Sequence, residues 1–292
     1  MEGKMKSLKN KDINIRDPYV LVHGGKYYLY GTRGPTCWGK ADGFDCYVGT
    51  DLENWEGPFE IFHNDGSFWS DENYWAPEVH YYQEAFYMFA TFTAAGKCRG
   101  TQILKSESPT GPFEIHSDGP LTPRDWECLD GTFYVDKAGQ PFMVFCHEWQ
   151  QVKDGTICRV PLSMDLKETI GEPVTMFAAS EAPGVIGIRG GENYVTDGPF
   201  LFRLIDGTLG MLWSSFGELG YVEVVSYSDN GEITGNWIHD KEFLFKEDGG
   251  HGMLFHDLDG NRKLTLHNPN ATLEERPVFY AIKEQGGTIV VE

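Results

Sequence analysis

The sequence predicts an all-β protein, a five-bladed β-propeller. One β-strand–turn–β-strand unit recurs five times, and its opening residues Asp17, Glu78, Asp130, Asp197 and His251 lie 61, 52, 67 and 54 positions apart. Gly-containing turns separate the paired β-rich runs, and no stretch of any length carries a helical period.

The first unit reads Asp17-Pro18 into Tyr19–Val22, a Gly24-Gly25 turn, and Lys26–Tyr30. The second runs from Ala76-Pro77-Glu78 through Tyr81 and returns over Ala85–Ala90. The third is Asp130–Val135, a turn at Ala138-Gly139, and Pro141–Cys146. The fourth is Asp197–Phe202, a turn at Asp206-Gly207, and Leu209–Ser214; the fifth is His251–Phe255, a turn at Asp259-Gly260, and Lys263–His267. Gly-Gly and Asp-Gly suit two-residue type I′ hairpins, where both central residues need positive φ. Further runs, such as Cys46–Thr50, Thr101–Lys105 and Lys241–Phe245, supply third and fourth strands. Four short strands per period match a propeller blade, which hides its faces only by packing on neighbours in a ring. The ring is expected to close by pairing the C-terminal strand, Thr288–Val291, beside N-terminal residues. Without a Pro-, Gly- or Ser-rich linker, residues 1–292 read as a single domain.

The 24 basic and 44 acidic residues leave a net charge of −20. A surface so acidic repels phosphate backbones and anionic lipid, so nucleic acid and membrane are poor partners, whereas a neutral ligand such as a sugar is compatible. Cys37, Cys46, Cys98, Cys128, Cys146 and Cys158 form no CxxC pair and are expected to be free thiols. The polar start of the chain, Met1 to Asn10, has no apolar run of signal-peptide length, so a cytoplasmic location is expected.

The innermost strand of each blade lines the channel, so four carboxylates and a histidine should converge at the hub. Like charges brought together in a buried place raise one another's pKa, an arrangement that serves chemistry better than stability. Trp38, Trp69, Trp75, Trp126, Trp149 and Trp213 fall in loops or at strand ends, where indole faces can stack on sugar C–H surfaces. Trp75, which leads into Glu78, and Trp149, which closes His147-Glu148-Trp149, are the preferred pair, with Glu78 and His251 as further substrate contacts.

Arg16-Asp17-Pro18, Trp75-Ala76-Pro77-Glu78, Leu129-Asp130-Gly131, Asp197-Gly198-Pro199 and Gly250-His251-Gly252 resemble, in order, the motifs of glycoside hydrolase family 43. The resemblance implies an inverting, five-bladed hydrolase acting on arabinose- or xylose-containing glycans. Asp17 would be the general base, Asp130 the residue that tunes and orients the acid, and Asp197 the acid. It also implies that His251 lies near a metal, often calcium. The family's acid is usually Glu; Asp197 is one methylene shorter, and Glu192 is the alternative donor. Length leaves no room for a second domain beside five blades, which points to galactofuranosidases, arabinanases or, as the leading expectation, an exo-acting α-L-arabinofuranosidase cleaving a small oligosaccharide. Two other readings remain open at this stage. Trp126-Glu127-Cys128 resembles the acid motif of retaining fructosidases, and the Asp-for-Glu change would suit a non-catalytic glycan-binding propeller.

Overall fold

The computed structural model describes residues 7–292. Five antiparallel sheets, each formed from one continuous stretch of chain, make the five blades. Blade 1 runs outward from Ile15–His23 through Lys26–Arg33, Gly43–Gly49 and Asn54–His63, with Leu8–Lys9 at its outer edge. Blade 2 comprises Glu72–Tyr82, Ala85–Ala94, Lys97–Ser106 and Glu114–Ile115. Blade 3 comprises Cys128–Val135, Pro141–His147, Thr156–Pro161 and Val174–Ala178. Blade 4 comprises Asp197–Arg203, Leu209–Gly217, Gly220–Ser228 and Trp237–His239, and blade 5 Gly250–His256, Arg262–Asn268, Arg276–Gln285 and Thr288–Val291. Among the described residues the one α-helix is the four-residue Trp149–Val152, and no helix is long and apolar enough to cross a membrane.

The apolar residues of neighbouring blades pack into each other. Phe44, Phe62, Phe68, Tyr74 and Phe92 fill the space between blades 1 and 2, and Phe177, Trp213 and Trp237 that between blades 3 and 4. Full burial of such a side chain is worth roughly 1.5–3 kcal/mol, and each blade obtains it only from its neighbours.

Four local expectations, three turns and one strand, are corrected. Two-residue turns occur at Gly24-Gly25 and, without glycine, at Gln83-Glu84, where both residues have positive φ. The predicted turns of blades 3, 4 and 5 are longer loops spanning 136–140, 204–208 and 257–261. In each, an aspartate side chain accepts backbone N–H groups and the glycine takes the single positive φ. Lys241–Phe245 is not a strand: Trp237–His239 forms the outer edge of blade 4, and Phe245 makes only an isolated bridge to Glu223.

Closure also differs from expectation. Thr288–Val291 pairs within blade 5, and Thr288 turns toward Tyr227 and Asp240 of blade 4. Blades 5 and 1 are joined by packing and side-chain bonds: Arg16 pairs with Glu275 at 2.8 Å, Arg276 donates to the Lys11 carbonyl at 2.7 Å, and Tyr27 and Trp55 pack on Phe255 and Phe279. A contiguous blade at each end leaves no strand to exchange.

Every inner strand carries a β-bulge at the same register. The first extra residue is Asp17, Ala76, Asp130, Gly198 or His251, all with φ between 44° and 55°. The next is Pro18, Pro77, Gly131, Pro199 or Gly252. A left-handed residue costs about 1–2 kcal/mol unless it is glycine, and its N–H leaves the ladder. The preceding blade supplies the missing partner. Thr32 accepts the Ala76 N–H at 2.8 Å, Thr91 that of Asp130 at 2.9 Å, Ser214 that of His251 at 2.7 Å, and His267 that of Asp17 at 3.2 Å. Cys146 occupies the matching place in blade 3, but the Gly198 N–H goes instead to Asp130 Oδ2 at 3.0 Å. Pro has no second N–H to satisfy. Where Gly follows, Thr101 takes the Gly131 N–H and Glu223 the Gly252 N–H, each at 3.0 Å.

Candidate active site

The bulges turn their side chains into a small cavity of about 60 Å³, to which all five blades contribute. Asp17, Asp130, Asp197 and His251 line it together, with Trp75 as one wall. Asp17 Oδ2 accepts the Thr32 hydroxyl at 2.6 Å, while Oδ1 lies 3.2 Å from His251 Nδ1. The same nitrogen lies 3.7 Å from Asp130 Oδ2, so one imidazole faces both carboxylates. Asp197 Oδ2 accepts the Tyr221 hydroxyl at 2.9 Å.

The electrostatics separate the carboxyl groups. Burial opposes ionisation of Asp17, but His251, Arg16 and the Thr32 hydroxyl outweigh it and hold this carboxyl below its ordinary value. Burial pushes Asp130 up to about 7, with Asp197 and Asp17 adding repulsion against the pull of His251. Asp197 is also raised, again chiefly by burial and despite His251 and Tyr221. Burial disfavours a charged His251, yet the three aspartates more than compensate and raise its pKa. Burial and Arg16 lower His267 to about 3, so it stays neutral and Nδ1 can accept the Asp17 N–H. The cavity therefore holds one carboxyl favoured as the anion, an imidazole whose protonated form the aspartates favour, and two carboxyls whose protons burial helps to retain. Such a set can deprotonate water on one side of a bond and protonate a leaving oxygen on the other.

Other expected residues lie elsewhere. Glu78 is two positions past the blade 2 bulge, where Ala76 sits; it is buried between blades, accepting the Thr132 hydroxyl at 2.6 Å and meeting His80 at 3.0 Å. Asp197 is one position before its bulge, Gly198 being the equivalent of Asp17, yet its side chain still reaches the cavity. Trp149 opens the short helix beneath the Arg189 guanidinium, 4.7 Å from its ring, and does not line the cavity. Glu192 is an exposed residue 3.8 Å from Lys153, away from the cavity. Glu127 accepts the Arg99 N–H and Trp126 stacks on His147, so the fructosidase-like motif is likewise outside it. Glu148 is buried and paired with Arg99, whose guanidinium lies 4.3 Å from the Trp75 ring.

Arg16, Cys37, Trp38, Leu129 and Tyr221 complete the lining. The sequence offers Trp38 as one of six indoles that can stack on a sugar and Arg16 in a motif without a role of its own; Tyr221 carries no signal, since it comes from a third strand. The 34–41 loop enters because the Trp75 indole donates to the Cys37 carbonyl at 2.5 Å and Trp38 crosses to Thr272 of blade 5 at 3.2 Å. All six cysteines are free, as expected. The donor set does not fit a protein-built calcium site. His251 turns Nδ1 onto two carboxylates, and among the described residues no three metal-ligating side chains are arranged to hold an ion.

Three buried hub carboxyls, one favoured as the anion and two pushed toward keeping their protons, suit the acid–base cleavage of a glycoside. The model of glycosyl hydrolases family 43 matches residues 12–283, and the chain belongs to that family. It is similar to an endo-arabinase from Bacteroides thetaiotaomicron, at 38% identity and a TM-score of 0.90, over 98% of this chain and 100% of that one. A thermostable family-43 glycoside hydrolase (23% identity, TM-score 0.83, covering 95% and 92% of the two chains) shares the fold. So does an α-L-arabinofuranosidase from Lactobacillus brevis (16%, TM-score 0.76, covering 95% and 93%). A search of the curated proteins finds no match.

Proposed function

We propose that the protein is an inverting, exo-acting α-L-arabinofuranosidase. Asp17 is the general base toward water, Asp197 the acid toward the leaving oxygen, and Asp130 the neighbour that shares and steers the acid's proton. The observation that carries the reading is the joint placement of Asp17, Asp130 and Asp197 in one cavity, the first held ionised and the other two pushed up. Exo action is supported by the cavity's form: Trp38 and the 34–41 loop bridge blade 1 to blade 5, which suits a chain end better than a polymer passing through. The similar B. thetaiotaomicron protein is described as an endo-arabinase, so the two modes must be separated by product. Arg16 has one guanidinium nitrogen on Glu275 and lines the cavity, where it can donate to sugar hydroxyls.

The test pairs aryl α-L-arabinofuranoside, β-D-xyloside and β-D-galactofuranoside with linear arabinan. The arabinofuranoside is expected to be cleaved fastest, arabinan to release free arabinose from the start, and proton NMR to show the β-anomer first. Early release of mid-length oligosaccharides would replace the exo reading by an endo one, and preference for xyloside would overturn the sugar assignment.

A further inference from the structure

Asp17 and Asp130 are equivalent residues of blades 1 and 3, both left-handed first residues of the bulge, yet their surroundings shift them in opposite directions from the ordinary carboxylate value. The residue beside each on the second strand differs. Thr32 faces Arg16 across the ladder and Cys146 faces Leu129, each one position before the aspartate. The Thr32 hydroxyl donates to Asp17 Oδ2 at 2.6 Å while accepting the Ala76 N–H at 2.8 Å. Cys146 makes neither bond. Burial keeps it a neutral thiol, a weak donor, and Asp130 receives only the Gly198 N–H.

We propose that this second-strand difference sharpens the catalytic roles: the Thr32 hydroxyl helps hold Asp17 as the anion, and the Cys146 thiol, by withholding the same bond, leaves Asp130 able to share the acid's proton. Thr32 and Cys146 are positioning residues, acting through the aspartates. The proposal rests on the hydrolytic reading above. The charged surroundings of the two aspartates overlap in His251 and differ in Arg16, which favours the anion at Asp17, and in Asp197, which opposes it at Asp130; the second-strand bonds act in the same direction as these charges. Asp17 faces Arg16 and Cys37 of its own blade and His251 and His267 of blade 5. Asp130 faces the same His251, with Asp17, Asp197 and Tyr221, and blade 2 presents it with the uncharged Thr91.

The experiment exchanges the two environments in the full chain, with Thr32→Cys and Cys146→Ser, and Thr32→Ser and Cys146→Ala as controls. The pH dependence of kcat/KM on an aryl glycoside is measured, together with carbon-13 titration of the aspartate carboxyls, assigned with Asp17→Asn and Asp130→Asn. A hydrogen bond to a carboxylate shifts its pKa by about one unit. Thr32→Cys is expected to move the acidic limb and the Asp17 titration up by about that much, while Thr32→Ser leaves both in place. Cys146→Ser is expected to bring the alkaline limb and the Asp130 titration down by a similar amount, and Cys146→Ala to leave them unmoved. A packing role alone predicts the opposite order at 146, with the smaller alanine the more disruptive. Folded exchange variants with unmoved titrations would overturn the proposal, as would Cys146→Ala matching Cys146→Ser. Shifted titrations in a protein that cleaves no glycoside would sustain it and remove the hydrolytic reading instead.

Discussion

Asp17 is the residue on which turnover depends most directly. It is the one hub carboxyl held below its ordinary pKa, and its backbone and side chain are fixed by His267 and Thr32. Asp17→Asn keeps the shape and removes the base, so kcat should fall by about 10²–10⁴-fold, with the melting temperature within a few degrees of the parent. Retained turnover would remove Asp17 as the base. Asp197→Ala should cost most on glycosides with poor leaving groups, because those need the proton, and least on an activated aryl glycoside. Equal losses on both would mean that the carboxyl serves in some other way. Sequence motifs led to both residues, but not to Tyr221, which donates to Asp197 Oδ2 from a strand more than twenty residues away.

At the scale of elements, the bulged inner strand decides which side chains face the axis. It is stitched to the preceding blade by Thr32, Thr91, Ser214 and His267. Blade 4 adds a fully buried carboxyl to this stitching. Glu223 Oε2 accepts the Ser214 hydroxyl at 2.7 Å and the Gly252 N–H at 3.0 Å, while Oε1 has no partner. Burial raises its pKa to about 7, against an ordinary 4.5, although those two bonds and His251 favour the anion. The folded chain thus retains a proton that the unfolded chain releases near 4.5. The stabilisation is complete below about 4.5 and is lost as pH rises through about 7. Glu223→Gln cannot ionise. It should lose less melting temperature than the parent between pH 5 and pH 8, as scanning calorimetry at the two values would show. An unchanged difference would mean that Glu223 is already charged when folded.

For the whole molecule, closure lies between two blades that exchange no strand. The Arg16–Glu275 pair is a buried charge contact there, outside the three aspartates and His251, with 13% and 1% of the two side chains exposed. Asn14 and Arg276 hold the backbone on either side of it. Removing one partner of a buried pair strands the other, at a cost of about 3–5 kcal/mol. Glu275→Ala should therefore lower the unfolding free energy by an amount in that range, and chemical unfolding would measure it. A change under about 1 kcal/mol would mean that apolar packing of Tyr27, Trp55, Phe255 and Phe279 closes the ring unaided.

The five β units, their spacing, the three hub aspartates and the family were legible in the sequence, because strand alternation, turn residues and motif order are local properties of the chain. Register was not. Taking Glu78 as the blade 2 opener misses by two residues, since Ala76 holds that place, and Asp197 misses by one. Spacing alone does not show where a ladder is interrupted by a bulge. Which carboxyl keeps its proton was equally hidden, because Asp17 and Asp130 differ chiefly through groups brought from other strands. Burial, a shared imidazolium and one hydroxyl against one thiol act through space, and only the closed ring brings them within reach.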